Sequence, residues 1–192
     1  MAGNSMGGAV APELGRRGVA RSVVAFAPIG FWRRPGLLWT RTVIRTMRAL
    51  ARPLRPVLPA LVRSRTARGL LCGAVYGKPR GLDPSRALAD AEALLRAEGV
   101  DPALAGLDRR YPGTPGQLPT IPVTIAWGRR DVLLTHATQS RRARRLAPWA
   151  RHVTLPGCGH VPFPDDPAAR LAVVLDTTRA ALPPTTAAGG SR

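Results

Sequence analysis

Short apolar runs bounded by Gly and Pro alternate along this chain with longer stretches in which apolar residues recur at helical spacing. Residues 23–27, Val-Val-Ala-Phe-Ala, form a continuous β-rich run stopped by Pro28. A run of that kind fits a strand buried on both faces, because a strand with one wet face would alternate. Residues 121–128 repeat the pattern, and residues 152–156 give a shorter strand. Around these strands the spacing predicts helices over residues 6–17, ending at Gly18, over 138–146, and over 166–181. Pro12 and Gly15 fall inside the first of these, where proline removes a backbone donor and should kink it.

Residues 31–110 differ in character. They are rich in Arg and Leu and punctuated by Pro35, Pro53, Pro56 and Pro59. Helices are expected over 37–51, 57–71 and 84–98, with no strand among them. A helical insertion of this length between two strands fits a lid better than a simple connection. Residues 111–119 read as a Pro/Gly linker and residues 183–192 as a low-complexity tail. The expected organisation is therefore a core segment over 1–30, a helical lid over 31–110, a second core segment over 111–182 and a tail over 183–192. The fold class is α/β.

Composition narrows the function classes. With 192 residues, 45% of them hydrophobic, the chain can bury a real core, and no apolar run is long enough to span a membrane. Cys72 and Cys158 are too few and too far apart in sequence for a disulfide framework or a zinc site, so free thiols in a reducing cytoplasm are expected. The formal net charge is +18, which invites a nucleic-acid reading. Yet Lys78 is the only lysine among 29 basic residues, and no stripe of basic and aromatic residues appears. Arginine, alanine, glycine and proline abundance of this kind follows a GC-rich coding bias. Non-specific polyanion binding at low salt is expected, and no specific nucleic-acid partner.

The candidate chemistry begins at the third residue. Gly3-Asn4-Ser5-Met6-Gly7-Gly8 contains G-x-S-x-G, a turn that lifts a serine hydroxyl clear of a sheet between a strand and a helix. Small residues at Gly3 and Gly7 would relieve crowding, and Gly8 would let the helix lie close to the sheet. The Met6 N–H, at the helix start, could face a developing oxyanion. Alone the motif is weak in a chain with 20 Gly, where a flexible Gly-rich start would read the same. Two residues far downstream make it more specific. Asp131 comes just after the strand ending Trp127-Gly128, and His160 sits in Gly157-Cys158-Gly159-His160 after the next strand.

The order Ser5, Asp131, His160 resembles that of the α/β-hydrolase superfamily. The stretch from Pro122 to Asp131 looks like its acid-bearing strand and turn, and Leu155 to Pro162 like its histidine loop. The resemblance implies a Ser5 nucleophile, a His160 base and an Asp131 that orients it. It implies a C-terminal part of such a fold with a helical lid, needing neither cofactor nor metal. The substrate implied is a small apolar ester or related molecule. The Gly-Asn-Ser-Met-Gly-Gly form also resembles hydrolases that cleave carbon–carbon bonds of ring-fission products, and a haloperoxidase-like activity uses a similar triad. Dehalogenases place Asp where this chain has Ser5.

Other residues compete for these roles. His136 lies close enough in sequence to Asp131 to line a site, whereas His152 opens a strand and suits packing. Asp165 and Asp166 suit a helix cap better than a triad acid. Cys158 is a weaker nucleophile candidate than a serine on an elbow. An acid placed one strand earlier would have to come from Pro28, Ile29 or Gly30, which offer none.

Against intact members of the superfamily, the first four strands and almost all of the fifth have no counterpart. The loop supplying the second oxyanion donor goes with them, and such a donor is worth roughly a hundred- to a thousand-fold in rate. The run at 23–27 is then expected to be an exposed apolar edge inviting self-association. A non-catalytic remnant or basic interaction protein is the rival reading.

Overall fold

The computed structural model describes residues 1–108 and 120–182. The expected linker over 111–119 and the tail over 183–192 lie outside the described residues. Among the described residues four parallel strands form one sheet in the order β1-β2-β3-β4. They are β1 (Ala2–Asn4), β2 (Val23–Phe26), β3 (Val123–Gly128) and β4 (Arg151–Leu155). The register pairs Ala2 with Val24, Val24 with Thr124, and Thr124 with Arg151.

The continuous apolar runs have the expected cause. Alternate residues of each central strand serve opposite faces, and both faces are covered. Val23, Ala25, Ile125 and Trp127 pack with Ala11 of helix α1 (Met6–Arg16) and Ala143 of a later helix. Val24, Phe26 and Ala126 pack with Val173 of the last helix, α8 (Pro167–Arg179). A buried hydroxyl pair, Thr124 to Thr177 at 2.7 Å, ties β3 to α8.

One expectation is corrected. The run at 23–27 is not an exposed edge, because β1 supplies its neighbour through three paired residues and all four residues of β2 are buried. The outer strand on that side is β1, only three residues long and partly exposed. A three-residue edge presents far less pairing surface than β2 would. Helix α1 also runs through Pro12 without ending there, with Pro12 buried against the core.

Between β2 and β3 the chain is helical: α2 (Arg34–Leu54), α3 (Leu58–Leu61), α4 (Arg65–Cys72), α5 (Pro84–Arg96) and α6 (Val100–Ala105). The single helix expected over 57–71 is two. A turn separates them, and Ser64 starts the second by accepting from the Ala67 N–H, a hydroxyl cap. Val62, Cys72, Tyr76, Leu82 and Ala87 form this segment's own small core. After β3 a π-helical turn (His136–Ser140) leads into α7 (Arg141–Leu146), so the basic helix starts earlier and is less regular than its spacing suggests. No helix among the described residues is long and apolar enough to cross a membrane.

Candidate active site

Ser5 stands between the end of β1 and the start of α1 with φ 55° and ψ −114°. A non-glycine residue in that region stores on the order of 1–3 kcal/mol of strain and persists only when its surroundings hold it. Here the Ser5 N–H donates to the Phe26 carbonyl at 2.9 Å, and its carbonyl accepts from the Ala9 and Ile29 N–H groups, both at 3.2 Å. The elbow is thus bolted to β2 and to the loop beyond it.

The glycines around Ser5 do not share one purpose. A Cβ on Gly3 would lie 2.1 Å from the Gly7 carbonyl oxygen, so nothing larger fits. A Cβ on Gly8 would lie 2.9 Å from the Phe26 oxygen, so this glycine brings the helix against the sheet. A Cβ on Gly7 would meet nothing within 4 Å, so its smallness is not a steric need.

Asp131 and His160 come together directly. The carboxylate can only accept, so His160 Nδ1 donates to Asp131 Oδ2, at 3.0 Å. The other oxygen, Oδ1, accepts the Leu134 N–H at 2.8 Å. The Asp131 side chain is fully buried and that of His160 nearly so. This pairing leaves His160 Nε2 as the nitrogen free to accept a proton. The Ser5 hydroxyl makes no hydrogen bond to His160 among the described residues. Its side of the site is joined to the histidine loop through Asn4, whose Nδ2 donates to the carbonyls of His160 at 2.9 Å and Phe26 at 3.1 Å. The sequence motif assigns Asn4 no role of its own, although Asn4 lies inside it.

Met6 heads α1, so no carbonyl within the helix can reach its N–H. Ser5 and Met6 line a cavity of about 760 Å³ walled by apolar residues such as Trp39, Met47, Leu58 and Leu94. Its polar lining includes Tyr76, Asp90 and Arg86 besides three threonines of α2. The Tyr76 hydroxyl donates a short hydrogen bond to Asp90, which also accepts from Arg86 Nε at 2.8 Å. Burial, reinforced by the bond to Asp90, keeps the Tyr76 phenol protonated well above its ordinary range. Arg86 and Asp90 are spaced i,i+4 on α5, but no spacing ties them to Tyr76, which comes from the loop before that helix.

The remaining candidates fall elsewhere. His136 is turned toward β4, 3.5 Å from the Thr154 hydroxyl, and does not line the cavity. His152 Nε2 donates to the Ala147 carbonyl at 2.9 Å. Burial lowers the pKa of both. Asp166 caps α8 by accepting from the Ala169 N–H. Asp165 does not cap it; its carboxylate accepts from the N–H groups of Gly77, Lys78 and Gly159, each at 2.8 Å. Cys158 is fully buried, and desolvation pushes its thiol up to about 11, which disfavours the reactive thiolate. Among the described residues no cluster of His, Cys, Asp and Glu could hold a metal ion.

Proteins of known structure share this fold. The fold is similar to that of 2-hydroxy-6-oxo-6-phenylhexa-2,4-dienoate hydrolase from Rhodococcus sp. strain RHA1, at 21% identity and a TM-score of 0.63 over 93% of this chain and 63% of that one. It is similar to a thermophilic esterase from Thermogutta terrifontis, at 19% identity and 0.61 over 94% and 64%. It is also similar to a bacterial membrane phospholipase A, at 22% identity and 0.61 over 94% and 56%. The chain therefore spans between 56% and 64% of the length of these three proteins. No curated protein matches it by sequence. The model of the alpha/beta hydrolase family matches residues 1–174, nearly the whole described chain, and the chain belongs to that family.

Proposed function

We propose that this chain carries the nucleophile, acid, base and substrate chamber of a serine hydrolase acting on a small apolar ester through an acyl-enzyme. The observation that carries the reading is the strained Ser5 elbow opening onto an apolar cavity beside a buried Asp131–His160 pair. His160 Nε2 takes the Ser5 proton as the hydroxyl oxygen attacks the ester carbonyl carbon. Asp131 holds the imidazole by Nδ1 and stabilises its positive charge. The oxyanion forms beside the Met6 N–H at the positive end of α1. Collapse breaks the bond to the alcohol, which leaves with the proton from His160. Water activated by the same nitrogen then frees the acid from Ser5. The helices over residues 34–105 act as the lid, and their apolar wall selects the acyl or alcohol group.

Cleavage of a carbon–carbon bond next to a ketone is a second reading, supported by the Asn4-Ser5-Met6 sequence and the fold shared with the dienoate hydrolase. The cavity wall favours the ester. Among the described residues its one cation, Arg86, is paired with Asp90, and these residues offer an acidic substrate no unpaired cation there.

A fluorophosphonate probe tests the serine chemistry. Labelling of the purified chain that disappears in Ser5→Ala is the expected result. A folded chain that stays unlabelled would refute catalysis by this chain. Turnover of p-nitrophenyl esters against a ring-fission dienoate separates the two substrate classes.

A further inference from the structure

A second pocket, of about 430 Å³, meets the Ser5 chamber only at Leu70, which lines both, and is otherwise lined by Thr66, Lys78, Arg80 and Arg130 together with Pro79 and glycines of the 69–81 stretch. Three cationic side chains meet there from two parts of the chain. Lys78 and Arg80 come from the turn before α5, and Arg130 from the loop after β3.

Their charges have no carboxylate partner among the described residues. Lys78 Nζ donates to the main-chain carbonyl of Asp165 at 2.9 Å, and Arg130 Nη1 to that of Gly77 at 2.9 Å. Each keeps further donors free. Arg80 makes no side-chain hydrogen bond among the described residues. The nearby acids are committed, Asp165 to three backbone N–H groups and Asp131 to His160. A fourth cation lies beneath. Arg68 is 6% exposed, its Nη2 donates to the Arg80 carbonyl at 3.0 Å, and its Nε has no partner.

The cluster is also held in shape. Gly69 leaves room for the Arg80 side chain to lie across α4, since a Cβ there would sit 3.2 Å from the Arg80 Cγ and Nε. Gly157 does the same for Lys78, with 3.3 Å to its Cε. Like charges gathered in a concave site repel one another, and a multivalent anion converts that repulsion into binding. Two guanidinium forks and an ammonium match phosphate oxygens in geometry as well as charge.

We infer that this pocket binds the phosphate or diphosphate group of a small molecule, at a site separate from the Ser5 chamber. The ligand would join the helical segment to the loop that carries Asp131, and binding only the folded form would stabilise the protein.

Titration calorimetry and thermal melting with inorganic pyrophosphate and with adenosine diphosphate, at roughly physiological salt, test this. Saturable one-to-one binding with a raised melting temperature is expected. Arg80→Gln and Arg130→Gln should each weaken it about tenfold, the usual worth of one charge-assisted contact. Arg145→Gln, on exposed α7, should leave it unchanged. Equal affinity for the two ligands would show that the diphosphate alone is read, and tighter nucleotide binding that the nucleoside is also held. Absence of saturation would overturn the inference. So would an equal loss in Arg145→Gln, which would mean general attraction of anions to a basic protein. Because Arg80 and Arg130 are exposed, folding of the variants can be checked by their unliganded melting curves.

Discussion

The Asn4 side-chain amide donates to the main-chain carbonyl of His160, across 156 positions of sequence. With its second bond, to Phe26, it fixes the spacing between the serine elbow and the histidine loop. Asn4→Ala should lower the rate of probe labelling or ester turnover about tenfold through kcat, with KM little changed, because chemistry and not substrate contact is disturbed. Asn4→Asp should be worse, since a carboxylate would face two carbonyl oxygens. Steady-state kinetics of the two variants checks both statements.

Asp131→Asn keeps the shape of the buried pair but replaces an acceptor with an amide that can hold His160 in the wrong tautomer. The expected loss in kcat is on the order of 10⁴-fold, as in other triads. Labelling rates that fall less than about tenfold would remove Asp131 from the proposed role.

The elbow glycines should separate cleanly. Gly3→Ala forces a Cβ into the Gly7 carbonyl and should cost about 1–3 kcal/mol or prevent folding. Gly7→Ala, inside α1 with open space around it, should be neutral or stabilising by about 0.4–1 kcal/mol. Urea unfolding of the two variants measures the difference.

Acid stability should reflect His136 and His152. Both have folded pKa values below the ordinary 6.5, chiefly because burial disfavours the charged ring. Between the folded value and 6.5 the unfolded chain binds more protons, so stability is full above pH 6.5 and is lost as pH falls below it. Melting temperature should fall on that side, and less steeply in His136→Gln. A flat profile from about pH 7 to about pH 5 would contradict this.

The strands and the meeting of Asp131 with His160 could be read directly from sequence. The run at 23–27 is apolar at every position because β2 is covered on both faces, and Asp131 and His160 each come a short loop after a strand, where the sheet must bring them together. What escaped depends on contacts distant in sequence. β2 looked like an edge because the three residues of β1 are too few to show a period. The Tyr76–Asp90 bond joins a loop to a helix with no shared spacing. Asp165 looked like a cap because it precedes a helix, and only the folded chain brings the Gly77 N–H to it. Gly7 matched a motif whose steric reason applies here to Gly3.

Asp165 has a consequence for anyone who would change the specificity of this protein. Its Oδ1 accepts the Lys78 N–H, and its Oδ2 accepts both the Gly77 N–H and that of Gly159, next to His160. A Cβ on Gly77 would also lie 2.2 Å from the Gly157 oxygen. A chimera that grafts foreign helices in place of residues 34–105 must therefore supply, at the graft position facing this loop, a residue without a side chain and two donors in the same orientation. Otherwise the transplant leaves a buried carboxylate short of partners and disturbs the His160 loop it was meant to leave alone.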